Sequence, residues 1–188
     1  FRSAPTPPNS PNGSRIYGRV AGVSQGSAWN ARIVDRAGFS LTIPPKGEAV
    51  SYGISTLPGG TLGTNQVQSA SLLVRYPDTA YQSHGNYGLH YRLTFPLYNP
   101  TPEPQTITFR LQTPLKQDQI KDGLRFLVPP PNQVFFRGTV EVGYNDEQGV
   151  WQNRYFHLVQ QRGQQGDPLV TLTIPAQGRQ LVQVDLEI

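Results

Sequence analysis

Three histidines, His84, His90 and His157, are the side chains best suited to hold a metal or move a proton. A zinc site wants two or three such ligands at close spacing. His84 and His90 are separated by a loop and the start of a strand, and neither spacing fits a known ligand pattern. With no cysteine there is no thiol nucleophile and no sulfur ligand. Serine chemistry has one spelling in its favour: Gly22-Val23-Ser24-Gln25-Gly26 reads Gly-x-Ser-x-Gly. That motif works only on a strand, a sharp turn and a helix. Here Ser27-Ala28-Trp29-Asn30 leads into another strand, so the spelling is read as coincidence. The 12 carboxylates are dispersed. A glycosidase needs two acids facing each other. Asp78, Glu141, Asp146 and Glu147 are the candidates, but Asp146-Glu147 sits in a turn, where Asp is expected for the turn alone. A loop calcium site near Asp146 stays open. The expectation is a protein without catalytic residues, metal site or cofactor.

Aromatic and amide side chains are denser than catalytic ones. Tyr76, Tyr81, Tyr87, Tyr91 and Tyr98 crowd one region together with Gln82, His84 and Asn86. Rings stack and amides hydrogen-bond, which is the chemistry of a sugar-binding or protein-binding surface. Tyr76, Tyr81, Gln82, His84, Asn86 and Tyr87 are therefore the candidate binding residues. The competing reading packs alternate tyrosines between sheets and leaves the rest to cap an edge.

Only 15% of residues are charged, so Asn and Gln must carry much of the surface polarity. A net charge of +4 permits an acidic partner. Yet Arg15, Arg19, Arg32, Arg36, Arg75, Arg92, Arg110 and Arg125 are scattered singly, with no cluster to follow a phosphate backbone. Nucleic acid is not expected. No apolar run is long enough for a membrane helix. The missing methionine suggests a processed or excised piece. Residues 1–14 are rich in Pro, Ser and Asn and read as a linker, leaving 15–188 as one domain.

The elements that must position these side chains are strands. Leu41-Thr42-Ile43-Pro44-Pro45-Lys46-Gly47 is echoed by Leu172-Thr173-Ile174-Pro175-Ala176-Gln177-Gly178. Pro pre-sets φ and Gly accepts positive φ, so each Pro-x-x-Gly predicts a turn and a returning strand. The echo fits an old duplication or, more simply, a turn convenient to many sheets, since no long period accompanies it. A first strand is expected over 14–23. Hairpins are expected between 29–35 and 39–43, between 39–43 and 49–55, and between 90–98 and 105–112. Another joins 134–144 to 152–161 across Asn145-Asp146-Glu147-Gln148-Gly149. Strands are also expected over 67–76, 169–174 and 181–188. Pro96 predicts an edge or a bulge, because proline cannot donate to a ladder. Residues 116–122 hold the one plausible helical turn. The fold class expected is all-β with little or no helix: an antiparallel β-sandwich, Ig-like or jelly-roll-like.

Several long strings carry a resemblance. They are Ile16 to Ser27 (IYGRVAGVSQGS), Thr61 to Ala70 (TLGTNQVQSA), Leu73 to Gly88 (LVRYPDTAYQSHGNYG), Val134 to Val140 (VFFRGTV) and His157 to Gln164 (HLVQQRGQ). Together they resemble the C-terminal part of an uncharacterised family of exported cyanobacterial proteins, the domain of unknown function thirty-three-seventy. The family has no assigned activity, so it transfers no catalytic residue. It implies an extracytoplasmic setting: periplasm, cell surface or medium. The function expected is a non-enzymatic structural or binding domain of an envelope protein, with another envelope protein or a polysaccharide as partner. The alternative is an accessory carbohydrate-binding domain of a larger hydrolase.

Overall fold

A computed structural model describes residues 22–24, 27–55, 70–75, 82–83, 89–117 and 123–188. Its strands are β1 Gly22–Ser24, β2 Ser27–Arg32, β3 Leu41–Thr42, β4 Ala70–Arg75, β5 Gln82–Ser83, β6 Leu89–Tyr98, β7 Gln105–Arg110, β8 Val134–Asn145, β9 Trp151–Gln161, β10 Pro168–Ile174 and β11 Arg179–Glu187. The described residues contain no helix. Lys116 and Gln117 are not helical, and the rest of the expected helical turn lies outside the described residues. So does most of the strand expected over 14–23.

The large sheet runs β2, β6, β11, β8, β9, with β3 also beside β6. A pair, β10 with β7, and a small sheet, β1-β4-β5, complete the pairing. The sheets are mixed, which corrects the purely antiparallel expectation: β2 and β3 both run parallel to β6. The fold is all-β. Residues 29–35 and 39–43 do not form a hairpin together. They are two parts of one path beside β6, interrupted by a loop. Asp35 closes that loop by accepting from the Thr42 amide at 3.0 Å and the Thr42 hydroxyl at 2.6 Å.

Pro96 explains why this interruption costs little. It lies inside β6 rather than at a sheet edge or a bulge. The Thr94 carbonyl accepts from the Ile33 amide and the Tyr98 carbonyl from the Ile43 amide. Residues of the same parity present backbone groups to the same side, so the nitrogen of Pro96 also faces β2 and β3. There β2 has ended at Arg32 and β3 has not begun, and no ladder bond needs the missing N–H.

The two Pro-x-x-Gly phrases form turns but not hairpins. In the first, the Glu48 amide reaches the Pro45 carbonyl at 2.9 Å, yet residues 49–55 form no strand. In the second, the Gly178 amide reaches the Pro175 carbonyl at 2.9 Å. The strands on either side part company: β10 pairs with β7, and β11 inserts between β6 and β8. The connection from β6 to β7 crosses between sheets in the same way. Asn99, fully buried, clamps both crossings together. Its Nδ2 donates to the carbonyls of Glu103, Ile174 and Pro175 at 2.8, 3.2 and 2.9 Å. Its Oδ1 accepts from the amide and hydroxyl of Thr101. A buried amide with this many partners meets the requirement that buried polar groups be satisfied.

The core lies against the inward face of the large sheet. Tyr91, Val140, Val142, Val182 and Leu186 meet Val170 and Ile174 of β10. Phe95 and Phe109 bring β6 and β7 together edge to face, with centroids 5.2 Å apart. The β8–β9 hairpin forms as expected across its Asp146 turn.

Candidate functional site

Side chains alternate across a strand, so one set from each strand faces the core and the other faces away. Register then decides which outward side chains become neighbours. Asp185 lies opposite Arg92 on one side and Glu141 on the other, and Glu141 lies opposite Tyr155. The next row toward the β8–β9 turn is Thr94, Gln183, Gly143 and Asn153. Beyond it, Leu181 lies opposite Pro96 and Asn145 opposite Trp151. The outward face is thus graded from charged groups through amides to apolar and aromatic ones.

A shallow polar cleft of about 140 Å³ opens on this face, lined by Arg92, Glu141, Gly143, Trp151, Asn153, Gln183 and Asp185. Arg92 Nε donates to Asp185 Oδ1 at 2.8 Å, and His90 Nε2 lies 3.2 Å from the same oxygen. Asp185 is much the more buried of the ion pair, 17% exposed against 53% for Arg92. The hydrogen bond that Arg92 donates to Asp185, then the carboxylate's charge, holds the guanidinium above its ordinary pKa. Glu141 does the same to Tyr155: the hydrogen bond first, then the carboxylate's charge, raise the phenol above its ordinary value. Tyr155 is therefore a neutral donor to Glu141 at physiological pH.

Trp151 is placed by a glycine. A Cβ at position 143 would collide with Cζ2 of the indole and come within 3.0 Å of Asn153 Oδ1. The bare backbone lets the ring reach over the sheet there. Its Nε1 donates to Asn153 Oδ1 at 2.7 Å, which fixes its orientation. The residue is still 39% exposed. An oriented aromatic surface beside amides and carboxylates can hold a polyhydroxylated ligand: C–H faces against the ring, hydroxyls on the polar groups.

The candidates singled out from sequence fall mostly elsewhere. Tyr76, Tyr81, His84, Asn86 and Tyr87 lie outside the described residues, as does Asp78. Gln82 contributes backbone to β5, opposite Ser71. Of the neighbouring tyrosines, Tyr91 is buried and its hydroxyl accepts from the Ser55 amide, while Tyr98 carries the Arg179 guanidinium 4.7 Å above its ring. His90 and His157 both stand on the outward face, His157 bonded through Nδ1 to the Thr139 hydroxyl at 2.8 Å. Among the described residues, no three His, Asp or Glu side chains converge as a metal site would require. Asp146 is spent on its turn: Oδ1 accepts from the Gln148 and Val150 amides, and Oδ2 from Gln152. Ser24 ends β1 and Ser27 opens β2, so strand rather than helix follows the Gly-x-Ser-x-Gly spelling.

Sequence reasoning missed the Trp151 cleft. Alternation does place Arg92, Glu141, Gly143, Asn153, Gln183 and Asp185 on the outward set of their strands. It cannot say which strands are adjacent.

The model of one family, described as "Protein of unknown function (DUF3370)", matches residues 2–187. The chain belongs to this family. No curated protein and no solved structure matches it. DUF3370 membership brings no assigned chemistry, so the functional reading rests on the cleft itself. No helix among the described residues is long and apolar enough to cross a membrane.

Proposed function

We propose that this DUF3370 chain is a non-enzymatic binding domain of an exported cyanobacterial envelope protein. Its ligand is a polysaccharide held on the outward face of the large sheet. The observation that carries the reading is Trp151, held over Gly143 and oriented by Asn153 beside a cleft of amides and carboxylates. Aromatic anchors oriented by hydrogen bonds are typical of binding surfaces.

The state of the acids supports binding over catalysis. Asp185 is engaged by Arg92 and His90, and Glu141 by Tyr155. These groups lie on an open sheet, where water screens them. Acid catalysis and charge stabilisation draw their strength from enclosed, desolvated sites. The export reading is supported by the family resemblance.

A glycan array probed with the purified chain tests the ligand class. Binding that is lost in Trp151→Ala, with an unchanged melting temperature, supports the proposal. Undiminished binding in that variant moves the surface elsewhere. Cell fractionation tests the setting: recovery in the cytosol alone would refute export.

A further inference from the structure

Resting on the polysaccharide reading, we infer that the ligand held beside Trp151 is an uncharged sugar chain, not an acidic one.

Charge selects the chemistry. The cleft contains two carboxylates, Glu141 and Asp185, and one guanidinium, Arg92, already bonded to Asp185. Glu187 adds a further acid on the next row, opposite His90. Arg32 stands at the β2 end of the Gly143 row, but its guanidinium turns to the Phe39 carbonyl at 3.3 Å. Arg137 lies on β8 beyond Thr139, opposite Val159 and away from the cleft. A uronate or sulfate in the cleft would meet acids whose nearest cation is committed. The chain carries +4 overall, so its net charge points to an acidic partner while the cleft points away from one. Local charge decides at contact, because exposed charges farther than about 10 Å are largely screened at moderate salt.

Shape sets the contact. The Trp151 indole lies across Gly143 and is oriented by Asn153, so one ring of the chain stacks on it. The hydroxyl edge of that ring then meets the carboxylates and amides that line the cleft.

The test titrates the intact chain with glucose oligosaccharides of several linkages, from dimer to tetramer, and with galacturonate oligomers of the same lengths. Titration calorimetry reports binding, because Trp151→Ala, run in parallel, lacks the fluorophore at the cleft. The expected result is binding of a neutral series that is lost in Trp151→Ala. Galacturonate trimers should bind about tenfold more weakly, or less, at low salt, and Glu141→Gln should narrow that gap. Galacturonates that bind as tightly as neutral trimers, with both lost in Trp151→Ala, would overturn the neutral-chain inference and leave the glycan face standing. If neither series binds, or if Trp151→Ala binds normally, the reading of the face fails and this inference with it.

Discussion

Trp151 and Gly143 occupy adjacent outward rows of one sheet, and the indole reaches over the glycine because nothing stands on it. Gly143→Ala should push the ring off the sheet. The expected outcome is weaker glycan binding with a red-shifted tryptophan emission. Since the ring is free to move outward, stability should fall by only about 1 kcal/mol, the low end for overpacking. The other tryptophan, Trp29, is half-buried and bonded to the Tyr52 hydroxyl at 2.7 Å, so the change can be assigned. An unshifted spectrum would show that the glycine does not position the ring.

Asn99 is a stability residue. Asn99→Ala would leave the Ile174 and Pro175 carbonyls and the Thr101 amide without their side-chain partner, and the Glu103 carbonyl with the Thr101 hydroxyl alone. A loss of about 2 kcal/mol is expected in urea unfolding, from the lost bonds of one buried amide. Asn99→Asp should be at least as damaging, because a carboxylate would face carbonyl oxygens. A loss under about 1 kcal/mol would mean that water replaces the amide.

Gly166 tolerates no side chain. An added Cβ would strike the Leu111 carbonyl oxygen and lie 2.8 Å from its carbon. Backbone cannot swing aside as a side chain can. Gly166→Ala should lower the melting temperature by about 6–12 °C if it costs about 3 kcal/mol. Gly149→Ala is the contrast. No atom lies within reach of its Cβ, and its φ of 78° is the sole obstacle, so its cost should be near 1 kcal/mol.

Asp146 makes part of the stability pH-dependent. Its carboxyl is held below the ordinary value of 3.8, chiefly by the Val150 amide, with further help from Gln152 and Gln148. A depressed carboxylate contributes stability that is fully present above its unfolded pKa and lost as pH falls through its folded one. Asp146→Asn should therefore be less stable than the parent at neutral pH, and the gap should close as pH falls below 3.8 and through the lower folded-state value. Unfolding midpoints measured across that range check the sign. A gap that stays constant with pH would assign the effect to geometry instead of charge.

Strand identity was largely legible in the chain. His90 to Tyr98 alternates along its length and becomes β6, and Val134 to Gln161 carries its own turn and becomes the β8–β9 hairpin. These signals are local. The errors concern what each strand pairs with. Nothing near Pro175 or Gly178 tells a turn that closes a hairpin from one that passes between sheets. The decisive contact is Asn99, at 75 residues' separation from Ile174. The interruption between β2 and β3 was hidden for the same reason, since two short runs with a turn between them read as a hairpin until β6 is seen beside both.

The sequence by itself determined an all-β chain, its alternating strands and the outward side of each, because side-chain alternation and turn chemistry act over a few residues. It also identified the family through long shared strings. Tertiary structure alone decided that Arg92, Asp185, Glu141 and Tyr155 form one row, and that Trp151 lies across Gly143. Those relationships depend on strand order and register, which are set by burying Tyr91, Val142 and Val182 together in one core. A shift of one residue in any of these pairings would turn the outward row into the core.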